Sequence, residues 1–338
     1  MILPATTSAA LLLCLLIFLA LGCWILPWRL RARSLRFEIF AIDFAIGAFI
    51  FALISAFTLG SMGSELAFTD SLLVSGHRAQ ASVIAAGLIT GLGNVALIAS
   101  TSLGGVALSF PIAGVVGATL FAWFAGVRHP VHLTVGTILA LCSFVLVLTV
   151  SAMRRTVVPV PRSKTSTKAP PASDPGIRSL ALALLSGLLF AGSAELARFG
   201  TAGELGVAPY AALVFIAVPA LLSTVAAVFF LFNFPLQGAR LHSDAYFSKR
   251  ILQHVTGAVA GIIWGVGILS CFLLRGVAGN EVAGRNNAVY AAFGSFVFAT
   301  AWGLFLPAEP LRARRRWMIA AAGLFAVAIY FLGYAIGF

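Results

Sequence analysis

Long uninterrupted apolar runs organise this sequence. Ten of them cover residues 6–27, 37–60, 79–101, 104–126, 132–153, 178–198, 208–232, 254–275, 286–306 and 317–337. Each is close to the roughly 20 residues a helix needs to cross the hydrocarbon core of a bilayer. A β-barrel would instead alternate apolar and polar positions over short segments. The pattern therefore predicts an all-α polytopic membrane protein with ten transmembrane helices.

The stretch 86–126 reads as two apolar helices joined by a tight Ser/Gly turn at Ser100–Gly105. Its opening octet, AGLITGLG at Ala86–Gly93, returns as AGIIWGVG at Ala260–Gly267, 174 residues later and about half the chain away. Similar endings follow each copy, TLFAWF at 119–124 and TAWGLF at 300–305. Closely spaced glycines flatten a helix face and let a second backbone approach. The two echoes predict an internal duplication. Residues 1–153 form a first five-helix repeat, 154–177 a Pro/Ser/Thr/Lys-rich cytoplasmic linker, and 178–338 a second five-helix repeat. An odd number of spans per half turns the second copy upside down, giving an inverted repeat.

Composition and charge sharpen this reading. Hydrophobic residues make up 61% of the chain and charged residues 9%. Soluble domains carry about 25% charged residues, so water is not the main solvent. The net charge of +12 could indicate nucleic acid, but its placement argues for topology. Of the 22 Lys and Arg, seventeen follow odd-numbered spans, at Arg29–Arg36, Arg154–Arg178, Arg240–Arg250 and Arg312–Arg316. Only Arg78, Arg128, Arg198, Arg275 and Arg285 fall on the other side. The positive-inside rule then places both termini outside and the central linker in the cytoplasm, with no nucleic-acid partner. Compactness points to a bacterial inner membrane. The first span lacks a basic n-region and a cleavage site, and reads as a retained anchor. Cys14, Cys23, Cys142 and Cys271 lie within apolar runs, and no spacing suggests a metal, a cofactor or a disulfide.

Polar residues inside the spans are the candidates for chemistry. Asp43 lies about one and a half turns into span two, where a carboxylate costs about 2.5–3.5 kcal/mol on insertion scales. It reads either as a proton-coupling carboxylate or as a helix-end group paired with Arg29–Arg36. Glu38 points about 140° away from it and reads as interfacial. Asn94, beside the Gly face of span three, could bond a solute or a neighbouring helix. Glu195 and Arg198, spaced i,i+3, read as a local ion pair, with Glu195 also a candidate proton site. Arg275, Asn280, Glu281, Arg285 and Asn286 cluster at the outer mouth of the second Gly-rich hairpin. They either pair among themselves or meet a solute carbonyl or anion. Trp264, Tyr210 and Tyr290 could stack on a ring or simply pack. His254, at the start of span eight, reads as solvated. The candidate substrate-binding set is Asn94, Ser102, Trp264, Arg275, Asn280, Glu281, Asn286 and Tyr290. No order of Ser, His and Asp and no paired carboxylates suggest an enzyme. Elsewhere, the segment 61–78 could carry a short interfacial helix using Leu66, Leu72 and Leu73, and Pro111 predicts a kink in span four.

Three stretches also carry a family resemblance. They are residues 28–47 (WRLRARSLRFEIFAIDFAIG), GLGN at 91–94, and NFPLQG at 233–238 followed by HVTGAVAGIIWGVG at 254–267. Together they resemble the ureide permease and glucose/ribose porter group of the drug/metabolite transporter (EamA-like) superfamily, over essentially the whole chain. The resemblance implies a secondary transporter whose cavity lies between the halves, lined mainly by spans three, four, eight and nine. It implies a solute such as an oxo derivative of a nitrogen heterocycle or a sugar. The central linker is shorter than in plant members and lacks a GxxxxGK-like motif, and Ile268 stands where a polar residue follows GxG. The expected function is a proton-coupled permease, or symporter, for a small polar solute. The alternatives are a metabolite or drug exporter of the same superfamily, and a non-transporting membrane scaffold or membrane enzyme.

Overall fold

A computed structural model of the chain describes residues 6–31, 35–62, 67–155, 175–241, 244–248, 250–275, 281–306, 311 and 314–336. Among these residues all regular structure is helical. Among the described residues nine helical stretches are long and apolar enough to cross a membrane, the first of them Ser8–Leu30, and a further apolar helix covers Ala288–Gly303.

The first apolar run is two helices, α1 (Thr7–Cys23) and α2 (Leu26–Arg31), with Pro27 in the first turn of the second. A proline at that point removes no helical hydrogen bond. Next come α3 (Phe37–Phe57) and α4 (Phe68–Val74), a short helix where an interfacial one was expected. Leu73 on α4 is 86% exposed, Leu72 is packed against the core, and Leu66 lies outside the described residues. The Gly-rich stretch forms α5 (His77–Gly104) and α6 (Val106–Phe124). Their connection is tighter than the Ser/Gly turn predicted at 100–105. It is Gly105 alone, at φ 92°, a conformation L side chains rarely adopt. Helix α6 continues through Pro111.

Then follow α7 (Pro130–Arg155), α8 (Pro175–Gly200), α9 (Pro209–Asn233), the short α10 (Asp244–Phe247), α11 (Ile251–Arg275), α12 (Glu281–Gly303) and α13 (Arg315–Ala335). Helix α7 runs past the predicted start of the linker and α8 begins before its predicted end, while 156–174 lie outside the described residues.

The helices pack in a definite pattern. Helix α3 lies on α11, and α5 on α9. Helix α1 lies on α11 and α12, while α8 lies on α5 and α6. The pairs α3–α9, α6–α12 and α7–α13 join residues before the linker to residues after it. Glycines set the closest approaches. A Cβ on Gly87 would stand 2.6 Å from the carbonyl oxygen of Ile216 on α9, and one on Gly261 would overlap that of Phe44 on α3. Further along each octet, Gly93 faces Phe190 of α8 and Gly267 faces Leu21 of α1.

Buried hydroxyls hold the packed helices in register. Ser100 Oγ donates to Ser109 Oγ (2.7 Å), and Ser179 Oγ donates to the Ser100 carbonyl (3.0 Å), tying α5, α6 and α8. Ser143 Oγ donates to the Ala321 carbonyl (2.8 Å) across α7 and α13. The outer surface is apolar: Leu11, Leu12, Leu141, Val145, Leu222 and Phe230 are each more than half exposed. A soluble monomer rarely shows so continuous an apolar surface, whereas lipid matches it.

Candidate functional site

A cavity of about 130 Å³ lies inside the bundle. Helices α1, α5, α8, α9, α11 and α12 line it. Helix α6, expected among the lining spans, contributes nothing, because it is buried between α8, α12 and α7. Its place is taken by α8, through Phe190, Ser193 and Ala197. The walls are mainly aromatic and aliphatic, with Trp24 and Trp264 both at the lining. Ile268, next to the second octet, lines it as well.

The polar groups at the lining are few, and their bonding differs. Thr90 Oγ1 donates to the Ala86 carbonyl (2.8 Å), and its hydroxyl meets that of Ser193. Arg275 is anchored at the cavity edge just past the end of α8: its Nη1 donates to Thr201 Oγ1 (3.1 Å), and its guanidinium lies 5.1 Å from the Phe272 ring centre. Asn94 is 2% exposed, and its Oδ1 has no hydrogen-bond partner among the described residues. A buried acceptor left unmade costs about 1–3 kcal/mol. Asn94, Trp264 and Arg275 of the sequence candidates therefore meet at one cavity.

The other candidates lie elsewhere. Ser102 is not at this cavity. It accepts a hydrogen bond from Gln237 Nε2 (2.7 Å) beside a second hollow. Tyr290 is buried against Phe121, ring centres 6.0 Å apart, on the side of α12 turned from the cavity. Tyr210 is buried at the start of α9. Glu195 is held by Arg198, which donates from Nε (2.8 Å) and Nη2 to its two carboxylate oxygens, forming the local i,i+3 pair. Asn280 lies outside the described residues, as do the side chains of Glu281, Arg285 and Asn286 at the start of α12.

Asp43 is 3% exposed and belongs to a three-residue constellation that sequence reasoning missed. The carboxylate accepts a hydrogen bond from the Tyr246 hydroxyl (2.6 Å), and His254 Nδ1 lies 2.9 Å from Oδ2 and 3.0 Å from Oδ1. An ionised carboxylate only accepts, so Nδ1 is the donor in this pair. His254 is therefore a partner of Asp43 and not a solvated residue. Among the described residues the partners of Asp43 are Tyr246 and His254. Burial, and then the bond to Asp43, push the Tyr246 phenol well above its ordinary value, so it stays a neutral donor. The three residues sit on α3, α10 and α11, and so join the two sides of the linker. Gly257 makes this contact possible, since a Cβ there would overlap that of Asp43. Glu38, expected at the interface, is fully buried and ion-paired with Arg36 (2.6 Å).

The protein is thus an integral, multi-pass, all-helical membrane protein with an internal cavity. No protein-family model matches the chain, and no curated protein matches it. A solved structure described only as the crystal structure of a protein is similar at 15% identity and a TM-score of 0.48, over 95% of this chain and 98% of that one, and a likeness of that size carries no argument.

Proposed function

We infer that the protein is a secondary active transporter that moves a small polar solute by alternating access between two inverted five-helix halves. The observation that carries this is a pattern of exchange. Replace α1, α3, α5, α6 and α7 by α8, α9, α11, α12 and α13, and the reverse. The pairing α3–α11 becomes α9–α5, α1–α11 becomes α8–α5, and α1–α12 becomes α8–α6, all of which occur. The pairs α3–α9, α6–α12 and α7–α13 map onto themselves. The octets follow the same rule, since Gly87 faces α9 where Gly261 faces α3, and Gly93 faces α8 where Gly267 faces α1. Helix pairs related in this way rock about the cavity between them, as transporters with internal repeats do. In this reading α12 also crosses the membrane, as the ninth of ten spans, and the basic loops face the cytoplasm.

The cavity speaks to the solute. Its volume of about 130 Å³ is well below the roughly 300–1,000 Å³ usual for drug-sized ligands, which favours a small metabolite over a drug. Tryptophan walls with one unsatisfied amide acceptor suit a flat or ring-shaped molecule carrying N–H or O–H donors. A nitrogen heterocycle and a sugar both meet that description. This agrees with membership of the drug/metabolite transporter superfamily. Asp43, paired across the halves with His254, is the proposed proton site, since ionisable groups inside spans are functional by default.

Uptake into proteoliposomes under an imposed pH gradient, across heterocycles and sugars, tests the reading. At least one solute should accumulate saturably. Asn94→Leu should weaken its half-saturation concentration by about tenfold, the value of one lost buried hydrogen bond of about 1.4 kcal/mol. Absence of flux for the whole panel, from a protein that elutes as a single folded species, would reject transport.

A further inference from the structure

A second hollow, of about 320 Å³, lies at the end of the bundle where α3 begins and α5 and α9 finish. Trp28, Arg29, Glu38, Ser102 and Gln237 are among its lining residues, and none of the cavity-lining residues is shared with it. An aromatic layer stands between the two spaces. Trp28 of the second hollow stacks on Phe40 at 4.9 Å, Phe40 meets Phe44 at 6.3 Å, and Phe44 meets both Trp24 (4.7 Å) and Trp264 (5.6 Å) of the central cavity. Phe40 and Phe44 are buried.

The short segment Leu236–Ala239, just after α9, borders this hollow and is fastened from three helices. Arg36, at the start of α3, donates from Nη1 to the Ala239 carbonyl (2.6 Å) and from Nη2 to the Gln237 carbonyl (2.9 Å). Ser102 near the end of α5 accepts from Gln237 Nε2. Arg178 of α8 donates to the Leu236 carbonyl (3.2 Å). Glu38 takes the remaining face of the Arg36 guanidinium, with Nε 3.3 Å from Oε2, and so fixes its direction. Gly238, at φ 69°, makes the turn that brings both carbonyls to Arg36. Almost every fastening bond ends on a backbone carbonyl, so the attachment depends on the path of the segment rather than on its side chains. The bonds from Arg36 and Ser102 cross from one half to the other, and rocking of one half against the other must break them.

We propose that Leu236–Ala239 is a gate bolted by Arg36, that the hollow beside it is the vestibule through which the solute leaves or reaches the central cavity, and that the aromatic layer is the seal between the two. The structure is then the state closed at this end. The vestibule part of the proposal rests on the transport reading above; the bolt does not.

The test reads vestibule access with no solute present. Ser102→Cys is introduced as a reporter after Cys14, Cys23, Cys142 and Cys271 are replaced by serine or alanine. A cysteine keeps an acceptor at that place. The purified full-length protein in nanodiscs is labelled with a membrane-impermeant maleimide. Adding Arg36→Ala should raise the labelling rate about tenfold, and Gln237→Ala should raise it at least threefold. Arg36→Ala leaves Glu38 buried without its partner, so the same measurement on Arg36→Ala combined with Glu38→Ala covers a failure to fold. Arg36→Lys, which can hold only part of the bolt, should fall between parent and Arg36→Ala. Rates that stay within threefold of the parent in every folded variant overturn the gate. Faster labelling in a protein that moves no solute in the liposome assay would keep the bolt and reject only its place in a transport pathway.

Discussion

Asp43→Asn is expected to bring pH-gradient-driven uptake down to the level of protein-free liposomes while leaving solute exchange across the membrane intact. The argument starts from geometry. Asp43 accepts from Tyr246 and His254, both beyond the linker, and is itself on α3. An amide at position 43 can still accept from Tyr246 through its carbonyl, so packing and one hydrogen bond survive. The charge does not survive. Removing one partner of a buried pair usually costs about 3–5 kcal/mol, but asparagine is isosteric with aspartate and keeps an oxygen that can accept from His254 Nδ1. Folding should therefore hold. Net accumulation needs a group that takes and releases a proton with each cycle, whereas one-for-one exchange does not. Counterflow of labelled solute should continue at a rate near that of the parent. Uptake unchanged in Asp43→Asn would remove Asp43 from coupling. Loss of both modes would make it a structural residue.

The second large effect concerns the octets. Gly87→Ala and Gly261→Ala should each destabilise the protein by about 1–3 kcal/mol, the cost of forcing a methyl into a filled interface. In both, the new Cβ meets a backbone carbonyl of a facing helix, which cannot rotate away as a side-chain end can. Gly192→Ala and Gly323→Ala are the controls. They sit inside α8 and α13, and a Cβ at either meets nothing within 4 Å. Alanine there should stabilise by about 0.5–1 kcal/mol, because a helical glycine orders more backbone than alanine does. Thermal unfolding in detergent, followed by tryptophan-independent dye binding or light scattering, checks all four. The repeat reading adds a finer expectation: the costs at 87 and 261 should be alike, since each residue faces the other half's equivalent helix. A large cost at one with none at the other would count against the repeat.

The helices and their membrane setting were legible because bilayers impose a simple rule on backbone polar groups and on length. Apolar runs at 37–60 and 208–232 become α3 and α9 with ends shifted by a few residues. The short helix in the loop after α3 was readable from its leucines. Partnerships were not. Asp43 drew notice as a carboxylate in an apolar run, but its partner His254 lies more than two hundred residues away. Nothing in the periodicity of either segment connects them. The same holds for Arg36, whose targets are backbone carbonyls at 237 and 239 that carry no residue-specific signal. Ser102, one of the candidate substrate-binding residues, does lie beside a hollow, though not the central one. Only packing reveals which face of a helix rich in small residues is turned inward. The family resemblance implied α6 as a cavity wall, and packing makes it a buried strut.

The positions of Trp24 and Trp264 have a practical consequence. Both indoles line the central cavity, while Trp123 and Trp317 are more than half exposed at the apolar surface. An occupant arriving between the first two alters their surroundings and leaves the lipid-facing pair as a steady background. The chain thereby carries its own optical reporter of occupancy. Ultraviolet-excited emission from unlabelled protein can screen compound libraries before any of them is available in radioactive form.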